Sequence, residues 1–200
     1  MYLLETLKKT FENITGMGTP TRPAVQRLVR ECKAREEIFE DDGAIPNNAK
    51  LPLVYYAAAV MLPKSSDRAA VFEQLFTSHG WGDSWRDGIY DYAHYHSSTH
   101  EVLGIADGEA SVQFGGGKGK AVKVRAGDVV ILPAGTGHRR LSASEDFLVV
   151  GAYPPAGKYD ECTGSAEERE AALQSIPKVP LPAKDPVYGA DGPLLRIWKG

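Results

Sequence analysis

Near the N-terminus the apolar positions recur at helical spacing. Leu3, Leu4, Leu7 and Phe11 follow the rhythm of one helix face, and Gly16-Met17-Gly18-Thr19-Pro20 breaks it. A second helix is predicted over residues 23–37, with Pro23 in its first turn and Val25, Leu28, Val29 and Cys32 as its apolar stripe. Residues 41–48 are turn chemistry, rich in Asp, Gly, Pro and Asn. The apolar and aromatic run 51–61 predicts a buried strand. Ser66 is placed to cap a helix over 67–78, with Val71, Leu75 and Phe76 inward and Gly80 as its stop.

The pattern then shortens. Strands are predicted at 89–95, 101–106, 109–114, 121–125, 128–132, 137–142 and 146–153. Asp107-Gly108 carries a hairpin signal, and residues 115–119 form a glycine-rich turn between two further strands. Such spacing belongs to a sandwich or barrel, so the fold is mainly β. Ser165-Ala166-Glu167-Glu168 reads as a capping box opening a short helix to Ser175. Pro177, Pro180, Pro182 and Pro186 then predict an extended strap, whose apolar end Leu194-Leu195-Arg196-Ile197-Trp198 packs on the body. The organisation expected is one domain in three parts: an N-terminal helical extension (1–36), a β barrel (37–155) and a C-terminal helix with strap (156–200).

Length and charge narrow the function. A chain of 200 residues suits one domain. A net charge of −3 gives no basic footprint, so neither nucleic acid nor a membrane surface is an expected partner. No apolar run reaches the roughly 18 residues of a spanning helix, and the amphipathic start lacks the order of a secretory signal. Cys32 and Cys162 stand far apart and make neither a metal-type pair nor a disulfide framework. A cytoplasmic location is the expectation.

The chemistry concentrates in Ala93-His94-Tyr95-His96-Ser97-Ser98-Thr99-His100-Glu101, which holds three of the chain's 5 histidines. On a strand, His94 and His96 share a face, so two imidazoles can hold one metal ion. Glu101 follows a short turn and can add a carboxylate oxygen. His138, after the turn Pro133-Ala134-Gly135-Thr136-Gly137, is the later histidine able to complete the set. Three imidazoles and one carboxylate suit Fe, Mn, Ni, Zn or Cu.

These residues resemble the two motifs of the cupin superfamily. The first reads Gly88, His94, His96, Glu101 and Gly108, with every gap in place. The second reads Gly127, Pro133, Gly135 and His138, with Ser142 where asparagine is usual. That asparagine is not a ligand in the family. The stretch from Phe39 to Trp198 is similar to the YjlB-type single-domain cupins, through residues 42–52, Trp81-Gly82-Asp83-Ser84-Trp85-Arg86, His100-Glu101-Val102-Leu103-Gly104 and Gly151-Ala152-Tyr153-Pro154-Pro155. The resemblance implies a cupin jelly-roll barrel, with one divalent transition metal per chain held inside by His94, His96, Glu101 and His138. It also makes a homodimer an expectation.

Other residues have two readings each. His100, beside Glu101, points to the opposite face on a strand; it is either a packed histidine or a proton shuttle. Tyr90 and Tyr92 share the parity of His94 and His96, and serve either as barrel packing or as groups that move protons. Trp81 and Trp85 line a pocket mouth or plug the barrel end. His79 belongs to a helix end. Arg140 shares the face of His138 and either meets an anionic substrate or faces solvent. The glycines at 115–119 lack the phosphate-loop pattern. Val129, Ile131, Leu132 and Val149 are expected to keep the cavity dry. The leading expectation is a metalloenzyme acting on a small oxygenated organic molecule, dioxygenase-type first, isomerase or decarboxylase next. The competing class is a non-catalytic small-ligand binder.

Overall fold

The computed structural model describes residues 22–64 and 66–200. The helix expected around residues 3–11 lies outside them. In chain order the elements are α1 (Arg22–Gln26), β1 (Arg35–Glu37), β2 (Leu53–Tyr56), α2 (Arg68–Ser78), β3 (Gly82–Asp87), β4 (Glu101–Asp107), β5 (Glu109–Phe114), β6 (Lys120–Arg125), β7 (Val129–Leu132), β8 (His138–Ala143), β9 (Leu148–Tyr153), α3 (Ala166–Ser175) and α4 (Pro193–Lys199). All described strand pairs are antiparallel. They form a six-stranded sheet, β1-β2-β7-β4-β9-β3, and a three-stranded sheet, β6-β5-β8. The fold is the mainly β, jelly-roll type.

Two apolar layers follow from strand alternation. Leu103 and Ile105 of β4 turn inward to meet Val112 and Phe114 of the smaller sheet. Val102 and Ala106 turn outward, against Phe72 of α2 and a layer that includes Leu194 and Trp198 of α4. The large sheet is therefore covered on both faces, and all of β4 before Asp107 is buried. Gly104 is required where Phe72 lies flat on the sheet, because a Cβ there would sit 2.4 Å from the ring.

Five expectations are corrected. The second helix stops at Gln26, and Arg35–Glu37 is instead an edge strand paired with β2. Its backbone finds ladder partners there, and pairing outweighs helix propensity. Arg35 and Glu36 thus pair at the edge of the large sheet. Asp107-Gly108 is not a hairpin: β4 and β5 belong to different sheets, and the turn is a corner between them. Gly108 (φ 67°) passes so close to the Phe147 backbone that a Cβ would lie 2.8 Å from its Cα. Residues 89–95 are not a regular strand; the strand lies earlier, at β3. The apolar tail is not extended to its end, since Pro193 opens α4. Around α2 the cap is Asp67, whose carboxylate accepts from the Ala70 N–H at 3.1 Å, not Ser66. The capping box of Ser165 and Glu168 is present. Cys32 and Cys162 are free thiols. No described helix is long and apolar enough to cross a membrane.

Candidate metal centre

The site sits where the two sheets meet. Glu101 opens β4 in the large sheet and pairs with Leu132; His138 opens β8 in the small one. His94 is joined to His138 by two main-chain bonds, His94 N–H to His138 O at 3.2 Å and His138 N–H to His94 O at 2.9 Å. Tyr95 exchanges two bonds of 2.9 Å with Cys162, and the His96 carbonyl accepts from the Gly135 N–H at 2.7 Å. The irregular segment carrying the histidines is thus stitched to three separate parts of the chain.

The His138 turn has its own brace. The Asn47 side chain donates to the carbonyls of Glu40 and Gly115 and accepts from the Gly137 N–H. The Asn48 side chain donates to the Ala134 carbonyl at 2.9 Å. The turn-rich segment 42–52 therefore supports the loop that carries His138, a role its composition did not disclose.

His94, His96 and His138 are buried together, and one ring nitrogen of each lies within 4.8 Å of the others. Each Nδ1 faces a backbone carbonyl: Tyr92 for His94 at 3.3 Å, Asp160 for His96, and Thr136 for His138 at 3.3 Å. A carbonyl can only accept, so each neutral ring keeps its proton on Nδ1 and presents Nε2 as a bare lone pair. Glu101 Oε2 stands 3.3 Å from His96 Nε2 and 3.5 Å from His138 Nε2. It is buried and has no hydrogen-bond partner. Three lone pairs and an orphaned carboxylate oxygen turned on one point form a donor set that fits a transition-metal cation.

The electrostatics agree. Burial lowers His94, and burial followed by the neighbouring His94 pushes His138 down to about 3. Burial also acts against the charged forms of His96 and Glu101, but their mutual attraction overcomes it, raising His96 and lowering Glu101. Without a cation, one proton on His96 is what balances Glu101. An unbalanced buried carboxylate would cost several kcal/mol.

A cavity of about 560 Å³ opens onto these residues, walled chiefly by Trp85, Ile89, Tyr90, Tyr153, Pro154 and Tyr159. Tyr90 lines it and meets His94 edge-on at 5.2 Å. Tyr92 stacks behind Tyr90 at 4.9 Å and donates its hydroxyl to Glu161, so it is not part of the wall. His100 is not brought to the cavity either. It is fully buried on the outer face of β4, accepts from the Ala134 N–H at 3.0 Å and packs on Trp198 at 4.7 Å. Strand alternation separates it from Glu101. Arg140 is not a wall residue, and its backbone N–H bonds the Tyr90 carbonyl. Val129 and Ile131 face the outer layer, while Leu132 and Val149 fill the inner core; none of the four lines the cavity. Trp85 lines the cavity, whereas Trp81 is buried in the outer layer. His79 sits at the C-cap of α2.

Two residues near the site escaped the sequence. Tyr153 accepts from Trp85 Nε1 at 2.8 Å and favours the charged form of Glu101. Its signal was parity, two residues beyond Gly151 in a recognisable stretch. Asp160 accepts from the Ser97 hydroxyl at 2.6 Å and from the N–H groups of Ser97 and Ser98, fixing the turn after His96. Nothing in its sequence context marks it.

Comparison with known proteins gives a match to the cupin domain over residues 87–150. The chain is 47% identical over 168 residues to the Bacillus subtilis (strain 168) protein YjlB, covering 84% of this chain and 98% of that one. Among solved structures, an 11S globulin from Wrightia tinctoria with an auxin binding site matches at TM-score 0.34 and 15% identity, over 43% of this chain and 24% of that one. An acireductone dioxygenase from Bacillus anthracis, with a cadmium ion in its active centre, matches at TM-score 0.34 and 17% identity, over 44% of this chain and 62% of that one. The chain thus spans less than two thirds of either structure's length, and similarity this low says nothing about activity.

Proposed function

Since the chain belongs to the cupin superfamily and to its YjlB-like group, we propose that it is a metal-dependent enzyme acting on a small oxygenated organic molecule, with dioxygenase-type chemistry first and isomerase or decarboxylase chemistry next. The observation that carries the reading is the convergence of His94, His96, His138 and the orphaned Glu101 oxygen at the floor of an open cavity. Structural zinc sites are closed and rich in thiolate; this donor set has no thiol and opens to a space large enough for a substrate.

When bound, a metal supplies Lewis acidity and, for redox-active ions, a partner for dioxygen. The chain's own residues supply the rest. The backbone carbonyls of Tyr92, Asp160 and Thr136 fix the three imidazoles in one tautomer. Trp85 and Tyr153 wall one side and limit water near Glu101. The Tyr153 hydroxyl is pushed up by burial and by the Glu101 charge, so it stays protonated at neutral pH and acts as a hydrogen-bond donor, not as a base.

The test is turnover by protein reconstituted separately with iron, manganese, nickel, copper and zinc. Oxygen uptake or product formation on a panel of small oxygenated compounds supports the enzyme. Ligand-induced stabilisation with no turnover under any metal supports the binder instead.

A further inference from the structure

Resting on the metal-centre reading above, the lining of the cavity speaks to the class of its substrate. The walls are aromatic. Tyr90 is 46% exposed and rests on His94; Tyr159 is 51% exposed and rests on His96 at 5.0 Å. Two open phenol faces therefore flank the mouth, each seated on a ligand imidazole. Tyr153 meets Tyr159 edge-on at 5.4 Å, continuing the aromatic surface inward to Trp85. Gly151 makes room for that indole, because a Cβ there would lie 2.0 Å from Trp85 Cε2.

The charges disfavour anions. Arg86 is the one Lys or Arg among the described residues lining the cavity. Its guanidinium is already paired with both oxygens of Glu73, at 2.7 and 2.6 Å, and with Asp67 at 2.9 Å. A fork held by two carboxylates does not clamp a third. The wall carboxylates, Asp83, Asp87 and Glu101, are negative. Glu161 adds another carboxylate at the rim, held by the hydroxyls of Tyr92 at 2.8 Å and Tyr159 at 3.1 Å.

We infer that the site takes a flat, uncharged, oxygen-bearing molecule of the phenol or enol class, admitted between Tyr90 and Tyr159, and that small carboxylates and phosphates are not its substrates. Aromatic faces bind a planar ring by offset or edge contact, while the lining gives an anion no Lys or Arg free of a carboxylate partner. This ranks dioxygenase chemistry on a ring or enol above decarboxylation of a free acid.

The experiment measures binding of catechol, oxalate and inorganic phosphate by calorimetry to the zinc-loaded full-length chain, with Tyr90→Leu and Tyr159→Leu alongside and zinc content read in each sample. The expected result is catechol at least tenfold tighter than oxalate or phosphate, weakened roughly threefold to tenfold by each substitution. Oxalate or phosphate binding as tightly as catechol overturns the inference, as does catechol binding indifferent to both tyrosines. Failure to take up zinc counts against the metal reading alone. In that case phenol is titrated into chelator-treated protein: binding that both substitutions weaken supports the aromatic mouth, and no binding overturns it.

Discussion

His96 is oriented by Asp160, a residue 64 positions further along the chain: Nδ1 of the imidazole donates to the Asp160 main-chain carbonyl. The carboxylate of the same residue holds the turn that follows His96, accepting from Ser97 and Ser98. One residue thus sets both the tautomer of His96 and the loop carrying it. Replacing Asp160 with alanine keeps the carbonyl but frees the turn. The expected outcome is metal affinity lower by about 10–100-fold and stability lower by about 1–3 kcal/mol from unpaired N–H groups. Chelator competition and thermal unfolding read the two effects separately.

Metal uptake should release a proton. In the metal-free protein Glu101 raises His96, while burial keeps His94 and His138 neutral. Only His96 must then lose a proton near pH 7 for zinc to bind. Calorimetry in buffers of different ionisation enthalpy should report about one proton released per zinc. Glu101→Gln removes the charge that raises His96, so its proton release should fall toward zero, along with its zinc affinity.

His100 gives a pH dependence of stability. Burial lowers its pKa from 6.5 to about 4. Between those values the unfolded chain binds the proton and the folded chain does not, so stability is fully present above about pH 6.5 and is lost as pH falls toward 4. The contribution is on the order of 3 kcal/mol. His100→Asn keeps an acceptor for the Ala134 N–H and does not titrate. Its denaturant stability should fall less steeply than the wild type's across that window; parallel profiles would contradict the assignment.

Gly151→Ala should act at a distance from the metal. A methyl group there collides with the Trp85 indole, which must move and give up its bond to Tyr153. The expected cost is about 1–3 kcal/mol of stability, with a change in tryptophan fluorescence. Unchanged fluorescence and stability would show that Trp85 does not lie on Gly151.

The parts of this fold legible in the sequence are those where local pattern and tertiary demand agree. β5 to β9 alternate or run apolar and sit near their expected positions. His94, His96, Glu101 and His138 stood out through their spacing, and the structure brings them to one point. β3 carries no strand pattern because it is an edge strand with four of its six residues exposed, so Gly82–Asp87 shows no buried face. The three charged residues of β1 carry helix propensity and no strand signal; only the β2 backbone makes them a strand. The Asp107-Gly108 corner shows that a turn motif reports a reversal and not which sheet receives the next strand. Asp160 and Asn47 act through contacts distant in sequence, which no local window contains.

The site formed by His94, His96, Glu101 and His138 is proposed to hold one transition-metal ion. Elemental analysis of the purified chain, before and after reconstitution, tests it most directly when run beside His96→Ala and His138→Ala variants whose fold is verified by circular dichroism. The expected result is about one equivalent of iron, manganese, nickel, copper or zinc in the wild type and its loss in both folded variants. A wild-type chain that takes up none of the five, or variants that retain the ion undiminished, would contradict it.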